Sequence, residues 1–216
     1  QPRHALAQVA AASYQNAFGH PFTCGGCVSF PCYYPHMNPS RNLFLIGPTG
    51  AGKTSIGRQL AARYNMPFID LDQEIERVTG VSVSTIFDVE GEAGFRRREQ
   101  SSLEECSGRS GIVLASGAGA VLDSLNRRHL VERGYVVWLQ ATVSLQLHRL
   151  ALDTSRPLLA DADRHRKLEA MAAARTSLYE EIADLIIPPG HEHEGVAVAS
   201  ERCFKLIDQH WNRGVL

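Results

Sequence analysis

Lysine is nearly missing from this 216-residue chain: Lys53, Lys167 and Lys205 stand against 19 arginines, so a lysine in a special setting is notable. Also missing is any long apolar run. The longest candidate, Gly111 to Leu122, is short and rich in Gly and Ser, well below the ~20 residues that a membrane-spanning helix needs. Nor is there an excess of either charge. Twenty-two basic residues meet 23 acidic ones, for a net charge of −1, so no overall field draws the chain to nucleic acid or anionic lipid, and any binding chemistry must be local. Hydrophobic residues at 44% suffice for one α/β domain with a large core.

Residues 1–36 lack Asp and Glu altogether, yet hold Cys24, Cys27 and Cys32 and four of the ten prolines. Ala5 to Ala17 could form a short Ala-rich helix, and Phe18 to Pro35 has no period of 2 or 3.6, so the segment is expected to be poorly ordered. Gln8, Ser13, Gln15 and Asn16 interrupt its apolar run, which makes it a poor secretory signal. Met37, followed by Asn-Pro-Ser-Arg and then a strand, reads as a natural start, with the working domain over 37–216. A zinc site could be drawn from Cys24, Cys27, Cys32 and His20 or His36. The two spaced ligand pairs of structural zinc sites are missing, however, and the cysteines read as incidental. Cys106 and Cys203 fall in helical patterns as small core residues. Scattered thiols suit a reducing compartment, and a cytoplasmic location is expected.

Asn42 to Gly47 is a continuous apolar run ended by Gly-Pro, the pattern of a strand buried on both faces of a parallel sheet. Pro67 to Asp70, Gly111 to Ala115, Tyr135 to Leu139 and Leu185 to Ile187 read as four more strands. Between and after them lie helical stripes, such as Val143, Leu147 and Leu150, or Ala199, Cys203, Leu206 and His210. The alternation predicts right-handed βαβ units and a five-stranded parallel sheet sandwiched by helices. Ligands should bind beyond the carboxyl ends of the strands.

Directly after the first strand stands Gly47-Pro48-Thr49-Gly50-Ala51-Gly52-Lys53-Thr54, matching G-x-x-x-x-G-K-[ST] where a strand gives way to a helix. At this composition a chance match arises in roughly two chains in a thousand, so the pattern is read as a phosphate loop. Gly50, Ala51, Gly52 and Ser55 belong to its cradle. Lys53 reaches the β- and γ-phosphates, and the Thr54 hydroxyl ligates Mg²⁺. GTPases, ATPases, kinases and transporters all share such a loop, so the acceptor must come from elsewhere in the chain.

Asp70 and Asp72 end the second strand, where carboxylates can hold Mg²⁺ or accept from a hydroxyl; one of them could instead cap the helix starting near Gln73. Glu90 to Glu99 opens another helix, with Arg97 and Arg98 read as solvated and Arg96 flanking a buried stripe of Phe95, Leu103 and Cys106. Arg175 interrupts the stripe Leu168, Met171, Leu178 and Ile182, and a buried guanidinium must find an anion. The turn Gly117-Ala118-Gly119 lets a ligand approach the backbone closely. Arg149 to Arg156-Pro157-Leu158-Leu159 spans a polar stretch suited to a mobile lid, whose arginine would neutralise a transferring phosphoryl group.

Together, the phosphate loop with Ser55-Ile56-Gly57, Phe68 to Asp72, Val83 to Phe87 leading to Gly91-Glu92 and Phe95-Arg96, Gly117 to Val121, Arg156 to Leu159, and Leu178-Tyr179 after Arg175 resemble the shikimate kinase family. The resemblance runs from about Arg41 to Trp211 and leaves residues 1–36 outside it. It implies the nucleoside-monophosphate-kinase variety of P-loop fold, with transfer of the γ-phosphoryl of ATP to the 3-hydroxyl of shikimate, using Mg²⁺, on the way to chorismate and the aromatic amino acids. It further implies that Asp70 supports the metal, that Asp72 accepts from the acceptor hydroxyls and serves as base, and that Arg96 and Arg175 clamp the carboxylate. Gly117, Ala118 and Gly119 would line the acceptor pocket, and Arg156 and Arg149 would come from the lid to the ATP phosphates. An adenine loop is expected near Pro188 to Glu194. Two departures stand out: Ala118 replaces the middle glycine of the family's turn, and Ser177 the usual proline before Leu-Tyr. A kinase of another polyol acid such as gluconate and a silent nucleotide-binding regulator are the rival readings. No nucleic-acid or membrane partner is expected, and the chain is expected to be a monomer.

Overall fold

Leu43–Ile46 forms β1, with all four side chains buried, as a run apolar on both faces requires of a strand covered on both sides. A computed structural model describes residues 40–151, 163–191 and 194–211; the expected extension over 1–36, the start at Met37 and the cysteines at 24, 27 and 32 lie outside the described residues. Four more strands follow: β2 (Phe68–Asp70), β3 (Val113–Ala115), β4 (Tyr135–Leu139) and β5 (Leu185–Ile187). They form one parallel sheet in the order β2-β3-β1-β4-β5, with Leu43 opposite both Val113 and Tyr135.

The two-residue period of the strands divides the core. Leu43, Leu45, Val137 and Leu139 pack on one side against Ile56 and Leu60 of α1 (Lys53–Tyr64) and Cys203 and Ile207 of α7 (Val196–His210). Phe44, Ile46, Val136 and Trp138 pack on the other side against α2 (Leu71–Thr79), α3 (Val83–Ser107), α4 (Ser124–Arg133) and α6 (Arg164–Ile182). Helix α5 (Val143–Leu150) lies against α6 through Leu150 and Leu168. The expected α/β sandwich is therefore present, with seven helices among the described residues. Cys106 and Cys203 are both free and buried. No helix among the described residues is long and apolar enough to cross a membrane.

One expectation is extended and one corrected. A helical stretch does open where expected, at Glu90–Glu92, but Gly91 (φ 68°, ψ −177°) is non-helical and kinks it from a preceding helical stretch that starts at Val83, where the Ser82 hydroxyl caps it by accepting from the Thr85 N–H. The stripe of α7 also leaves His210 exposed. Ala199, Cys203 and Ile207, four residues apart, fill the buried positions, and Trp211 takes the place expected of His210, its ring edge-on to Tyr64 at 5.2 Å.

Candidate active site

The phosphate loop occupies the turn from β1 into α1, at the carboxyl end of the sheet's middle strand. Gly52 caps α1 in the left-handed region (φ 96°) and brings no side chain to the helix's opening N–H groups, which leaves a positive helix end facing an incoming phosphate. The Lys53 ammonium lies over the loop, donating to the carbonyls of Gly47 and Pro48 at 2.8 Å each. From the next position the Thr54 hydroxyl donates to Asp70 Oδ2 at 2.6 Å.

Asp70 holds a second connection. Its Oδ1 accepts from the backbone N–H groups of Asp72 (3.1 Å) and Gln73 (3.4 Å), capping α2. The capping reading and the metal-side reading of the sequence thus meet in one residue. Thr54 and Asp70 together present two hard oxygen donors beside the phosphate loop, a set that fits Mg²⁺, which takes few protein ligands and keeps phosphate oxygens and water for the rest.

A cleft of about 490 Å³ opens beside this loop, and Lys53, Thr54, Asp70, Asp72, Arg96 and Arg175 all line it. So do Gly50, Gly52 and Ser55 and the turn of Gly117, Ala118 and Gly119. The glycines of that turn are needed for space: a Cβ at 117 would fall 2.3 Å from Glu99 Oε1, and one at 119 would fall 2.4 Å from Arg96 Nη1. Ala118 sits between them, and its carbonyl accepts from the Tyr179 hydroxyl.

Three expected residues stand apart. Ala51, within the loop, has its side chain buried and does not line the cleft. Arg149 is not on a lid: it belongs to α5, and its Nη1 donates to the carbonyls of Gly50 (2.9 Å) and Ala51 (3.3 Å), bracing the loop. Burial there lowers its pKa, only partly opposed by Glu194. Arg156 and the lid expected around it lie outside the described residues, as do two positions of the expected adenine loop, 192 and 193.

One residue of the cleft escaped the sequence reading. Glu99 lies one turn beyond Arg96 on α3, is 1% exposed, and accepts from Arg96 Nη1 at 2.6 Å. Glu92 holds the same guanidinium from the other side at 2.9 Å. Burial pushes the Glu99 carboxyl upward; Arg96 pulls it down, Asp72 raises it, and Arg175 lowers it further. For Arg96 burial opposes the charge, but Glu99 and then Glu92 outweigh it and its pKa is raised. The signal for Glu99 was present: Phe95, Glu99, Leu103 and Cys106 share one buried stripe, so a carboxylate stands among apolar positions as Arg175 does on α6. Arg97 and Arg98 are exposed as expected, with Arg98 paired to Glu90 at 2.6 Å. Arg175 is half-buried rather than buried, and among the described residues it pairs with no carboxylate.

A P-loop turn, a carboxylate pair at the end of β2 and two guanidinium groups across the same cleft define a nucleotide-dependent kinase of a small acidic acceptor. The family model for shikimate kinase matches residues 49–207. Shikimate kinase from Pasteurella multocida is 49% identical over 173 residues, covering 80% of this chain and 98% of that protein. The solved structure of shikimate kinase from Acinetobacter baumannii in complex with shikimate superposes with a TM-score of 0.74 at 42% identity, covering 78% of this chain and 93% of that one. A gluconokinase from Sinorhizobium meliloti shares the fold alone, with 15% identity and a TM-score of 0.50. The chain belongs to the shikimate kinase family.

Proposed function

We propose that this chain transfers the γ-phosphoryl group of ATP to the 3-hydroxyl of shikimate, giving shikimate 3-phosphate and ADP, and that residues 37–216 carry the activity. The observation that carries this reading is the meeting of Arg96, Arg175 and Asp72 in the cleft that Lys53 also lines. Shikimate is a small ring with one carboxylate and three hydroxyls. Two guanidinium forks suit the carboxylate, an aspartate suits the hydroxyls, and a close backbone turn suits the ring.

In this reading Arg96, aimed by Glu99 and Glu92, and Arg175 hold the acceptor carboxylate, while the turn at 117–119 closes against the ring. Asp72 accepts a hydrogen bond from the 3-hydroxyl and takes its proton as the oxygen attacks the γ-phosphorus. The bond from that phosphorus to the bridging oxygen of ADP breaks in line. Lys53 exchanges the Gly47 and Pro48 carbonyls for β- and γ-phosphate oxygens. Thr54 and Asp70 would hold Mg²⁺, which when bound would supply charge neutralisation. Arg149 keeps the loop in shape from α5, and Arg156 is assigned to the transferring group. Positioning and charge stabilisation supply the catalysis, as phosphoryl transfer requires.

ADP release measured with ATP and Mg²⁺ in the presence of shikimate, gluconate or neither tests the reading. Shikimate-dependent turnover is expected. Turnover with gluconate alone would move the chain to the polyol-acid kinases, and nucleotide binding without acceptor-dependent turnover would make it a silent regulator.

A further inference from the structure

We infer that Tyr179 is a positioning residue for the acceptor, its hydroxyl tying the Gly117–Gly119 turn to the helix that carries Arg175. The bond is short and spans two distant parts of the chain: the Tyr179 hydroxyl donates to the Ala118 carbonyl at 2.5 Å across 61 residues. Its ring is 2% exposed and stacks on Trp138 with centroids 5.6 Å apart, so the oxygen cannot wander. One turn earlier on α6, Arg175 lines the acceptor cleft.

The direction of the bond is fixed by its chemistry: a carbonyl only accepts, so the single phenolic proton goes to Ala118. That bond joins the helix carrying one arm of the clamp to the backbone turn. Burial pushes the phenol up to about 12, so the proton stays in place across the neutral range. The turn's other face is gripped just as closely, with no room for a Cβ between Gly117 and Glu99 or between Gly119 and Arg96. The turn is therefore held between Arg96 with Glu99 on one side and Tyr179 on the other.

This inference rests on the reading of Arg96, Arg175 and the turn as the acceptor pocket. Tyr179→Phe keeps the ring and its stacking on Trp138 and removes only the oxygen. The shikimate KM should rise about five- to tenfold, the range of one net hydrogen bond, while kcat and the ADP affinity measured without shikimate stay within about twofold. A saturating-ligand Tm series gives the same answer without turnover: shikimate should stabilise the variant less than the native chain, and ADP should stabilise both alike. An unchanged shikimate KM and Tm rise, or equal losses of nucleotide and acceptor affinity, would overturn the tether. Arg175→Ala separates the two claims. If it leaves the shikimate KM unchanged, the pocket reading fails; if it raises that KM while Tyr179→Phe does not, only the tether fails.

Discussion

Arg96 and Glu99 lie one turn apart on the same helix with Nη1 and Oε2 at 2.6 Å, the carboxylate buried in the cleft wall and the guanidinium reaching the cleft. An arginine side chain has many rotamers, and a buried charge partner selects one before the acceptor arrives. Glu99→Gln keeps the shape and removes the charge of that partner. The shikimate KM should rise about tenfold with little change in the KM for ATP, as initial-rate kinetics with each substrate varied would read.

Gly119→Ala tests the crowding at the turn. The added methyl would meet the Arg96 guanidinium at 2.4 Å, and the end of a flexible side chain can move aside at small cost. Thermal melting should hardly change, whereas the shikimate KM should rise at least tenfold because the displaced fork no longer meets the carboxylate. A large fall in Tm with an unchanged KM would contradict this.

Lys53→Ala and Arg175→Ala should fail differently. Removing Lys53 takes away a charge used as the phosphoryl group transfers, so kcat should drop by about 10² or more while shikimate still binds. Removing Arg175 leaves the acceptor carboxylate half-paired, at a cost of about 2–5 kcal/mol in kcat/KM, felt chiefly as a raised shikimate KM. Steady-state kinetics joined to shikimate binding by calorimetry distinguishes the two.

Thr54→Val removes the hydroxyl that donates to Asp70 at 2.6 Å while keeping the side chain's volume. A magnesium titration of activity should shift to at least tenfold higher metal concentration, and melting of the substrate-free chain should move little. An unchanged titration midpoint would remove Thr54 from the metal's ligands.

Cys203 governs an alkaline effect. Burial raises its thiol from 9.0 to about 11, about 2–3 kcal/mol at 1.36 kcal/mol per unit. The unfolded chain loses this proton near 9 and the folded chain only near 11. The associated stability is therefore complete below pH 9 and lost as pH rises toward 11. Cys203→Ala, less stable than the native chain at pH 8 from lost packing, should close the gap between pH 9 and 11 in urea denaturation.

The sheet was legible because each strand is an apolar run bounded by turn residues, and the phosphate loop because its pattern sits where a strand meets a helix. Arg96 and Arg175 were legible as charges beside or within apolar stripes. Glu99 obeys the same logic but was overlooked among its neighbouring charges: in the run Arg96-Arg97-Arg98-Glu99, composition suggests a solvated face and only the helical period separates inward from outward. Gly91 reads as punctuation, and its non-helical backbone does divide α3 into two stretches; the first of them, from Val83, was not anticipated. Arg149 is grouped by sequence with Arg156 in one polar, lid-like stretch. Its hold on the loop carbonyls joins residues 98 and 99 positions apart, which no local pattern encodes.

Strand β2 ends at Asp70 and α2 begins at Leu71, with nothing between. The height of the Asp70 carboxylate over the phosphate loop is thus set by strand pairing itself, through its register with Ala115. One residue inserted after Ile69 would turn this carboxylate to the opposite side of the sheet, leaving the Thr54 hydroxyl and the α2 N–H groups without it in a single stroke. Chain length, more than side-chain identity, is what this junction tolerates least.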